Sequence, residues 1–383
     1  MTYLTISILT TLLGFQLALP QAIGRGAGRG EMRGIWAECE GVNATLSSRV
    51  KIEEMVKRVG RAGFNTVFVQ AYRRNKAWYR SGLADSTPYR QFYAQEKTSP
   101  LKVAIDLAHK KGIKVHAWGN MFRVWGNADA QIIRKLGRAA VTRDSRGRSL
   151  LSYRKSSLPD GGYWLDPGDP AVRKYLVSVI EEILDRYPGI DGIHLDYTRY
   201  PYDEKGKVDF GYGEASVARF KKKYGADPFK CKGSKRALWD QWRRDQMTGF
   251  IREAAAVVHK RGKQLSVATV ADVKKCRSFT FQDWPRWIRE KLIDFVVPMN
   301  YSSKRSVMKS RAEAVLKAVP AAKKRVVVGL GAYKLLDSPN ALLSQIRDCR
   351  SLGAGGVVLF SYDNMTKKPA IFSFLGKKAF GGK

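Results

Sequence analysis

The sequence predicts a single α/β domain built as a (β/α)8 TIM barrel. Eight short apolar runs rich in β-branched residues recur along the chain, and amphipathic segments of helical period lie between them. Such alternation is typical of parallel strands joined by helical crossovers. An open doubly wound sheet is disfavoured, because residues 38–43 after the first run contain no G-x-G-x-x-G phosphate loop.

The predicted strands and helices are short and regularly spaced. The strands cover residues 33–37, 66–71, 113–118, 190–196, 264–270, 293–299, 325–330 and 355–360, and the clearest helices cover 51–62, 100–111, 171–186, 238–260 and 338–352. Two connections are too long to be simple turns, namely 121–168 after the third strand and 197–239 after the fourth. Because long strand-to-helix loops belong to the active face of a barrel, we expect both insertions to wall a cleft.

The two ends of the chain differ from the barrel, which we place at residues 32–365. Residues 4–19 form an apolar run that is short for a membrane span of ~20 residues, and a Gly/Arg-rich stretch follows. We interpret residues 1–31 as a signal peptide plus linker, with an uncleaved N-terminal membrane anchor as the alternative, and residues 366–383 as a basic tail. The prediction is an exported protein, periplasmic or extracellular, and in the anchored alternative the N-terminal segment alone attaches it to a membrane.

The predicted export bears on the four cysteines, because exported proteins can form disulfides. Cys231 and Cys276 lie in segments after two successive strands and are predicted to pair, whereas Cys39 and Cys349 are interpreted as buried thiols. No Cys/His set has zinc-ligand spacing, so neither a metal site nor a cofactor is predicted.

The net charge is far beyond what solubility needs. The chain has 69 Lys and Arg against 34 Asp and Glu, a formal charge of +35. Such a field attracts polyanions, including acidic polysaccharides, cell-wall polymers, anionic lipid surfaces and nucleic acid. The cations are scattered along the whole chain, which favours a solvated basic surface and predicts no specific nucleic-acid site.

The fourth predicted strand carries the strongest candidate for chemistry. Side-chain alternation places His194 and Asp196 on one face, with Asp196 at the C-terminal end, where parallel α/β folds carry their active sites. The structural alternative is an Asp that caps a turn or pairs with Arg199. The donors and rings of Tyr197 and its neighbours favour the functional interpretation, and we predict that Asp196 is catalytic.

The same alternation predicts a polar and aromatic cleft lining at the other strand ends. Carboxylates, amides, imidazoles and flat rings suit sugar hydroxyls and sugar faces, although His116 and Gln70 could equally be buried structural groups. The side chains predicted to face inward are Trp36, Glu38, Gln70, Tyr72, His116, Trp118, Asn120, His194, Asp196, Asp272 and Asn300.

Several of these residues fall in motifs that resemble a known family. The motifs are RGIW at 33–36, GFNTVFVQ at 63–70, GIKVHAW at 112–118, WLDPG at 164–168, DGIHLDY at 191–197, QDW at 282–284 and PMNY at 298–301. Together they resemble the glycosyl-hydrolase-like family ten, a group of bacterial and mostly exported proteins. The resemblance implies a (β/α)8 fold, a carbohydrate substrate and glycosidase activity. The sequence departs from the family pattern at Tyr197, where a second Asp is usual, and at Asn300, where Gln or Asp is common.

Glycosidic cleavage normally needs two carboxyl groups. We predict Asp196 as nucleophile or base, kept ionised by His194, Tyr197 and Arg199, which could instead bind neighbouring hydroxyls. The seventh strand carries no acid, so the partner must come from elsewhere on the rim: the first choice is Asp272, the second is Glu38, and Asp283 and Asp363 are further candidates.

The remaining roles concern the sugar. Trp36, Tyr72 and Trp118 are predicted to stack on sugar faces, and Gln70, His116, Asn120 and Asn300 to bind hydroxyls, while Asp283 and Tyr301 fall in matched motifs. The predicted function is therefore a glycoside hydrolase acting on a polysaccharide, either a cell-wall glycan or an acidic polymer. The alternative is a catalytically silent protein that binds carbohydrate or polyanions on the same scaffold.

Overall fold

The computed structural model describes residues 30–203 and 208–382. Residues from Glu31 onward form one compact unit. The predicted signal or anchor segment lies outside the described residues and stays a prediction. Within the described ranges no helix is both long enough and apolar enough to cross a membrane.

Eight parallel strands close into a barrel. In chain order they are β1 (Met32–Ala37), β2 (Thr66–Arg73), β3 (Lys114–Asn120), β4 (Gly192–Asp196), β5 (Gln264–Val270), β6 (Phe295–Asn300), β7 (Val327–Leu330) and β8 (Gly356–Leu359). Each strand pairs with the next, and β8 pairs with β1, so the barrel is closed. A two-residue strand, Lys76–Ala77, adds antiparallel to the end of β2. The predicted barrel is confirmed, and each of the eight predicted runs overlaps one of its strands.

Helices surround the barrel and connect its strands. They are α1 (Arg49–Arg61), α2 (Thr87–Glu96), α3 (Pro100–His109), α4 (Gln131–Leu136), α5 (Pro170–Arg186), α6 (Glu214–Tyr224), α7 (Gly233–Lys260), α8 (Val273–Ser278), α9 (Trp284–Arg289), α10 (Arg305–Lys317), α11 (Pro339–Ser351), α12 (Tyr362–Met365) and α13 (Ala370–Leu375). Local chemistry sets several starts: the Ser48, Ser99 and Asp169 side chains accept hydrogen bonds from backbone N–H groups in the first turns of α1, α3 and α5.

A packed core fills the barrel interior beneath its C-terminal mouth. It contains Trp36, Phe68, Trp118, Phe295, Val297, Val327 and Val358. The opposite faces of the same strands, for example Ile35, Val67 and Val69, belong to a separate layer between strands and helices. Bulky side chains therefore face both ways along these strands, as expected for a barrel whose interior is core rather than pore.

Close packing explains one glycine of the fourth-strand motif. Gly192 is in register with His116 on β3. A Cβ atom at position 192 would lie 2.5 Å from the His116 ring and 2.6 Å from the backbone oxygen of Gln264. Because real Cβ contacts of this kind are essentially never so short, only glycine fits beside the imidazole.

The two long insertions bind each other. In the first, the short strands Arg123–Trp125 and Tyr163–Trp164 pair antiparallel. The backbone N–H of Ser145 in this insertion donates to the Asp209 carbonyl in the second, at 2.8 Å. Both insertions follow the C-terminal ends of barrel strands, as predicted for the active face.

The C-terminal segment differs from the predicted tail. Helix α13 and the π-helical turn Gly376–Phe380 pack against the barrel, with the Phe380 ring 5.0 Å from that of Phe64. The Arg350 guanidinium also donates to the Ala379 carbonyl at 2.7 Å. The folded domain therefore extends beyond the predicted boundary at residue 365.

The predicted Cys231–Cys276 disulfide is not formed, because both residues are free thiols. The Cys276 side chain is fully buried in α8, directly after β5, and its thiol lies 3.5 Å from the Gln282 carbonyl. The Cys231 thiol donates to the Asp227 carbonyl at 3.2 Å and packs beside the Tyr212, Phe220, Trp239 and Trp242 cluster. The two thiols are thus held in different packing environments.

Candidate active site

A cleft opens at the C-terminal ends of the barrel strands and encloses about 150 Å³. Side chains from seven of the eight strands, or from the residues just after them, and one from the first insertion form its lining. The lining residues are Trp36, Glu38, Gln70, Arg73, Trp118, Asn120, Trp125, Asp196, Tyr197, Ala268, Met299, Tyr301 and Phe360. The cleft therefore lies where barrel enzymes carry their sites, and eight of its residues were predicted from the sequence.

Asp196 ends β4 and faces the cleft. Its Oδ1 accepts a hydrogen bond from the Tyr197 backbone N–H at 2.6 Å, and its Oδ2 accepts one from the Trp118 indole at 3.3 Å. The side chain is 7% exposed. These two donors fix the carboxyl group at the mouth of the barrel while leaving it at the cleft surface.

Burial raises the pKa of Asp196 above its ordinary value. The Tyr197 backbone N–H, the positive charge of Arg199 and the Trp118 hydrogen bond oppose this rise in pKa without cancelling it. The Asp196 carboxyl therefore keeps its proton to a higher pH than an exposed aspartic acid would.

Glu38 is the second acidic side chain that lines the cleft. It follows β1 and is half-buried. Its Oε2 accepts a hydrogen bond from the Ser361 hydroxyl at 2.6 Å and is 3.5 Å from the Asn364 amide nitrogen. Residues just after β8 thus orient the carboxylate that follows β1.

Asp363 supports this arrangement from below rather than lining the cleft. It is fully buried, accepts the Glu38 backbone N–H at 2.8 Å and accepts the Thr45 hydroxyl at 2.9 Å. Burial raises the pKa of Asp363 to about 6. A Cβ atom at Gly41 would lie 2.4 Å from the Asp363 carboxyl carbon, so the loop after β1 closes tightly on this side chain.

Two aromatic residues of the cleft adopt the left-handed backbone region, which is uncommon for non-glycine residues. They are Trp125, with φ 55°, and Tyr197, with φ 51°. Their rings are 6.4 Å apart, and the Arg123 guanidinium lies over both while donating to the Tyr197 hydroxyl at 2.8 Å. Such conformations persist where the surroundings over-determine them, and they concentrate at binding and catalytic sites.

The first-choice partner of Asp196 is not in the cleft. Asp272 caps α8, where its side chain accepts the Lys275 backbone N–H at 3.0 Å. Asp283 immediately precedes α9 and does not line the cleft either. The prediction for Asp272 fails because the chain leaves the strand at Val270 and turns at once into a helix, so strand alternation does not extend to position 272.

Two further residues face away from the predicted side. Tyr72 packs in the layer between strands and helices and its hydroxyl accepts from the Asn75 amide at 2.9 Å, because the β2 register shifts between Gln70 and Tyr72. Asn300 is buried and donates to the Met308 carbonyl in α10 at 2.7 Å. On β6, Met299 lines the cleft in its place.

The two predicted histidines face inward as expected but lie beneath the cleft. The His194 ring is 4.5 Å from that of Phe68, and its Nδ1 is 2.9 Å from the Ser266 hydroxyl oxygen. The His116 ring is 5.3 Å from Phe68. Both are fully buried and are absent from the cleft lining.

Arg199 lies outside the lining and makes its ion pair with Asp160, at 2.8 Å. Its charge lowers the pKa of Asp196 electrostatically rather than through a hydrogen bond.

Sequence reasoning missed five lining residues: Arg73, Trp125, Ala268, Met299 and Phe360. Met299 and Phe360 are apolar, so a search for polar and stacking groups at the strand ends passes over them. Arg73 lies beyond the β2 register shift and Trp125 belongs to an insertion, so no strand pattern indicates their position.

The family of the chain follows from a family model described as Glycosyl hydrolase-like 10, which matches residues 31–341. The chain belongs to this family. The resemblance expected from the motifs is confirmed, and a glycosidase-type protein is supported.

Curated relatives agree with the family. The chain is 26% identical over 282 residues to the glycosyl hydrolase DigH of Escherichia coli (strain K12), covering 68% of this chain and 60% of that protein. It is 25% identical over 281 residues to the glycosyl hydrolase YngK of Bacillus subtilis (strain 168), covering 67% of this chain and 50% of that protein. The chain thus spans half to 60% of the length of these relatives.

Solved structures agree on the fold alone. The PgaB (BpsB) glycoside hydrolase domain from Bordetella bronchiseptica superposes with a TM-score of 0.63 at 14% identity, covering 91% of this chain and 99% of that one. The catalytic domain of β-amylase from Paenibacillus polymyxa gives 0.62 at 11% identity, covering 94% and 100%.

Proposed function

We propose that this member of the family hydrolyses glycosidic bonds of a polysaccharide in the cleft, with Asp196 and Glu38 as the catalytic carboxyl groups. The observation that carries the proposal is that these two acids, and no other Asp or Glu of the described residues, line the cleft. Paired carboxyl groups are what glycosidic cleavage normally requires. Rings from Trp118, Trp125 and Tyr301 supply surfaces on which sugars stack.

The roles of the two acids follow from their surroundings. A proton donor must hold its proton near the working pH, and burial raises the pKa of Asp196 in that direction. We therefore assign proton donation to the glycosidic oxygen to Asp196, which reverses the role suggested by the sequence. Glu38, oriented by Ser361 and Asn364, then acts as the base or nucleophile. An exported protein, as the N-terminal apolar run predicts, would meet such a polymer in the cell envelope.

The test measures release of reducing ends from peptidoglycan glycan strands and from acidic polysaccharides. Asp196→Asn and Glu38→Gln should each lower kcat/KM by roughly a thousandfold or more, because a catalytic carboxyl group is removed. Asp283→Asn is the matched control, since this acid directly precedes α9 and does not line the cleft, and it should change the rate by less than about threefold. Circular dichroism checks that each variant is folded.

The pH profile tests the roles separately. With Asp196 as proton donor, kcat/KM falls on the alkaline side as pH rises through its raised pKa, because the donor is then ionised. A fall only on the acid side would assign Asp196 to the base. A folded Asp196→Asn variant with wild-type activity would refute the proposed function altogether.

A further inference from the structure

A second groove lies at the other end of the barrel from the cleft, between the end of α1 and the C-terminal segment. It encloses about 520 Å³, against about 150 Å³ for the cleft. Because α1 ends at Arg61, directly before β2, the groove lies toward the N-terminal ends of the strands. Its apolar floor includes Ala62, Pro369 and Phe372, and the Arg58 guanidinium lies 5.6 Å from the centre of the Phe372 ring.

Four cations line this groove, and three of them are left without an acidic partner. Arg58 pairs with Glu54, which is the one acid among the described lining residues. Lys57, Arg61 and Lys377 are exposed, and none of them makes a side-chain hydrogen bond or ion pair within the described part of the chain. The groove therefore combines an apolar floor with a rim of uncompensated positive charge.

The rest of this face adds further positive charge, because it is made of the connections that lead from helices into strands. The exposed lysines that precede β3, β5 and β7 are Lys110, Lys111, Lys260, Lys323 and Lys324. Across residues 30–203 and 208–382 none of these lysines forms an ion pair. Acids in neighbouring connections do have partners: Asp191 contacts His109 at 2.8 Å, and Asp185 contacts Arg261 at 2.6 Å. The lysines thus surround the groove with free charge.

We infer that this face binds an anionic lipid surface and that the groove holds the phosphate group of a lipid. Ammonium and guanidinium groups donate to phosphate oxygens, and the apolar floor suits the carbons beside the phosphate. β1 also begins on this face, at Met32, so the predicted N-terminal anchor is joined to the domain there. The cleft, at the opposite ends of the strands, then faces away from the membrane. The inference does not depend on hydrolysis in the cleft.

The test uses residues 30–383, so that the apolar run at residues 4–19 cannot itself insert; the chain from Glu31 onward is one compact unit. Co-sedimentation measures binding to vesicles of phosphatidylcholine that contain about 30% phosphatidylglycerol, and to vesicles of phosphatidylcholine alone. Two triple variants of equal net charge are compared. The groove variant combines Lys57→Gln, Arg61→Gln and Lys377→Gln. The control removes three exposed cations of the second insertion and the start of α7, through Lys222→Gln, Lys232→Gln and Lys235→Gln.

Wild type should bind the anionic vesicles and not the neutral ones. Each Lys or Arg beside an anionic membrane strengthens binding about fivefold, so the groove variant should bind about a hundredfold more weakly. The control variant should stay within about threefold of wild type, because its cations face away from the membrane. Equal weakening of the two variants would show attraction by net charge alone and would overturn the inference. Equal binding of neutral and anionic vesicles would also overturn it.

Lysine acetylation of the unsubstituted protein, measured by mass spectrometry, tests the orientation without any variant. Anionic vesicles should protect Lys57 and Lys377 and leave Lys222 and Lys235 reactive. Uniform protection of all four lysines contradicts the inference.

Two further measurements separate the lipid from other phosphates. Soluble glycerol 1-phosphate, at the phosphate concentration of the vesicles, should not release the protein from them; release would assign the groove to a soluble phosphate instead. Single-stranded DNA tests the remaining polyanion. A groove variant that loses affinity for DNA but keeps its affinity for vesicles would assign the face to nucleic acid and overturn the inference.

Discussion

Removing the His116 imidazole should change how the stability of the barrel depends on pH. The ring is fully buried between Phe68 and Phe295, at 5.3 and 5.7 Å, and neither of its nitrogens has a hydrogen-bond partner among the described residues. Burial lowers the pKa of His116 from 6.5 to about 4. Since one pKa unit corresponds to ~1.4 kcal/mol, protonation in the folded state is disfavoured by roughly 3 kcal/mol relative to the unfolded chain.

The sign of the effect follows from the lowered pKa. Between pH 6.5 and 4 the unfolded chain binds the proton and the folded protein does not, so acidification favours unfolding. The stabilisation is complete above pH 6.5 and is lost as pH falls toward 4. Between pH 7 and pH 5 the expected loss of unfolding free energy through this one group is about 2 kcal/mol.

The assay is urea unfolding of wild type, His116→Met and His116→Gln at pH 7 and pH 5, with refolding checked. Burial raises the pKa of Asp166 to about 7 and that of Asp363 to about 6, so these acids stabilise the fold on acidification and offset His116 in the wild-type curve. The difference between wild type and variant cancels them. Wild type should lose about 2 kcal/mol more than either variant. Equal losses in all three proteins would refute the assignment of a buried, neutral imidazole.

Two further predictions concern the cysteines and the second insertion. Burial raises the thiol pKa of Cys276 and Cys349 to about 12, so these thiols should react with a disulfide reagent only after unfolding. The denatured, unreduced protein should give four free thiols, and fewer would indicate a disulfide. The Arg243 side chain is fully buried, and its guanidinium lies 2.8 Å from both carboxylate oxygens of Asp209. Arg243→Met should lower the free energy of unfolding by about 3 kcal/mol, because it leaves this carboxylate without its buried partner. It should also speed proteolysis of the second insertion; thermal unfolding and limited digestion measure the two effects.

The barrel could be predicted from the sequence because its signals are local and repeated. Each of the eight apolar runs overlaps a strand, and β5 matches residues 264–270 at both ends. The ends of the domain were less predictable. Residues 366–382 look like a tail by their Lys content, yet Phe372 and Phe380 are buried against the barrel. Single aromatic contacts of this kind set the end of the folded domain, and no periodic pattern in the sequence indicates them.

Strand parity identified the side chains that face the barrel interior wherever one face of a strand was clearly polar. On β3 and β4 the predicted inward set of His116, Trp118, His194 and Asp196 does face the barrel interior. On β6 the rule fails, because Phe295 and Val297 fill the interior while Val296 packs on the helices, so both faces are apolar. The two faces of β6 therefore show no contrast in polarity, and alternation wrongly places the Asn300 side chain on the interior side.

The partner of Asp196 illustrates what closure of the barrel adds to local pattern. The sequence favours Asp272 because it follows β5, and β5 is the neighbour of β4 in a barrel. The structure instead brings β1 across the interior: the Trp36 ring lies 5.8 Å from His194 and 6.5 Å from Trp118. Glu38, two residues after Trp36, consequently shares the cleft with Asp196 at the end of β4. A substrate bound between two strands that face each other can meet one acid on each side, which neighbouring strands do not provide. This geometry therefore requires that Glu38→Gln lose activity and that Asp272→Asn retain it.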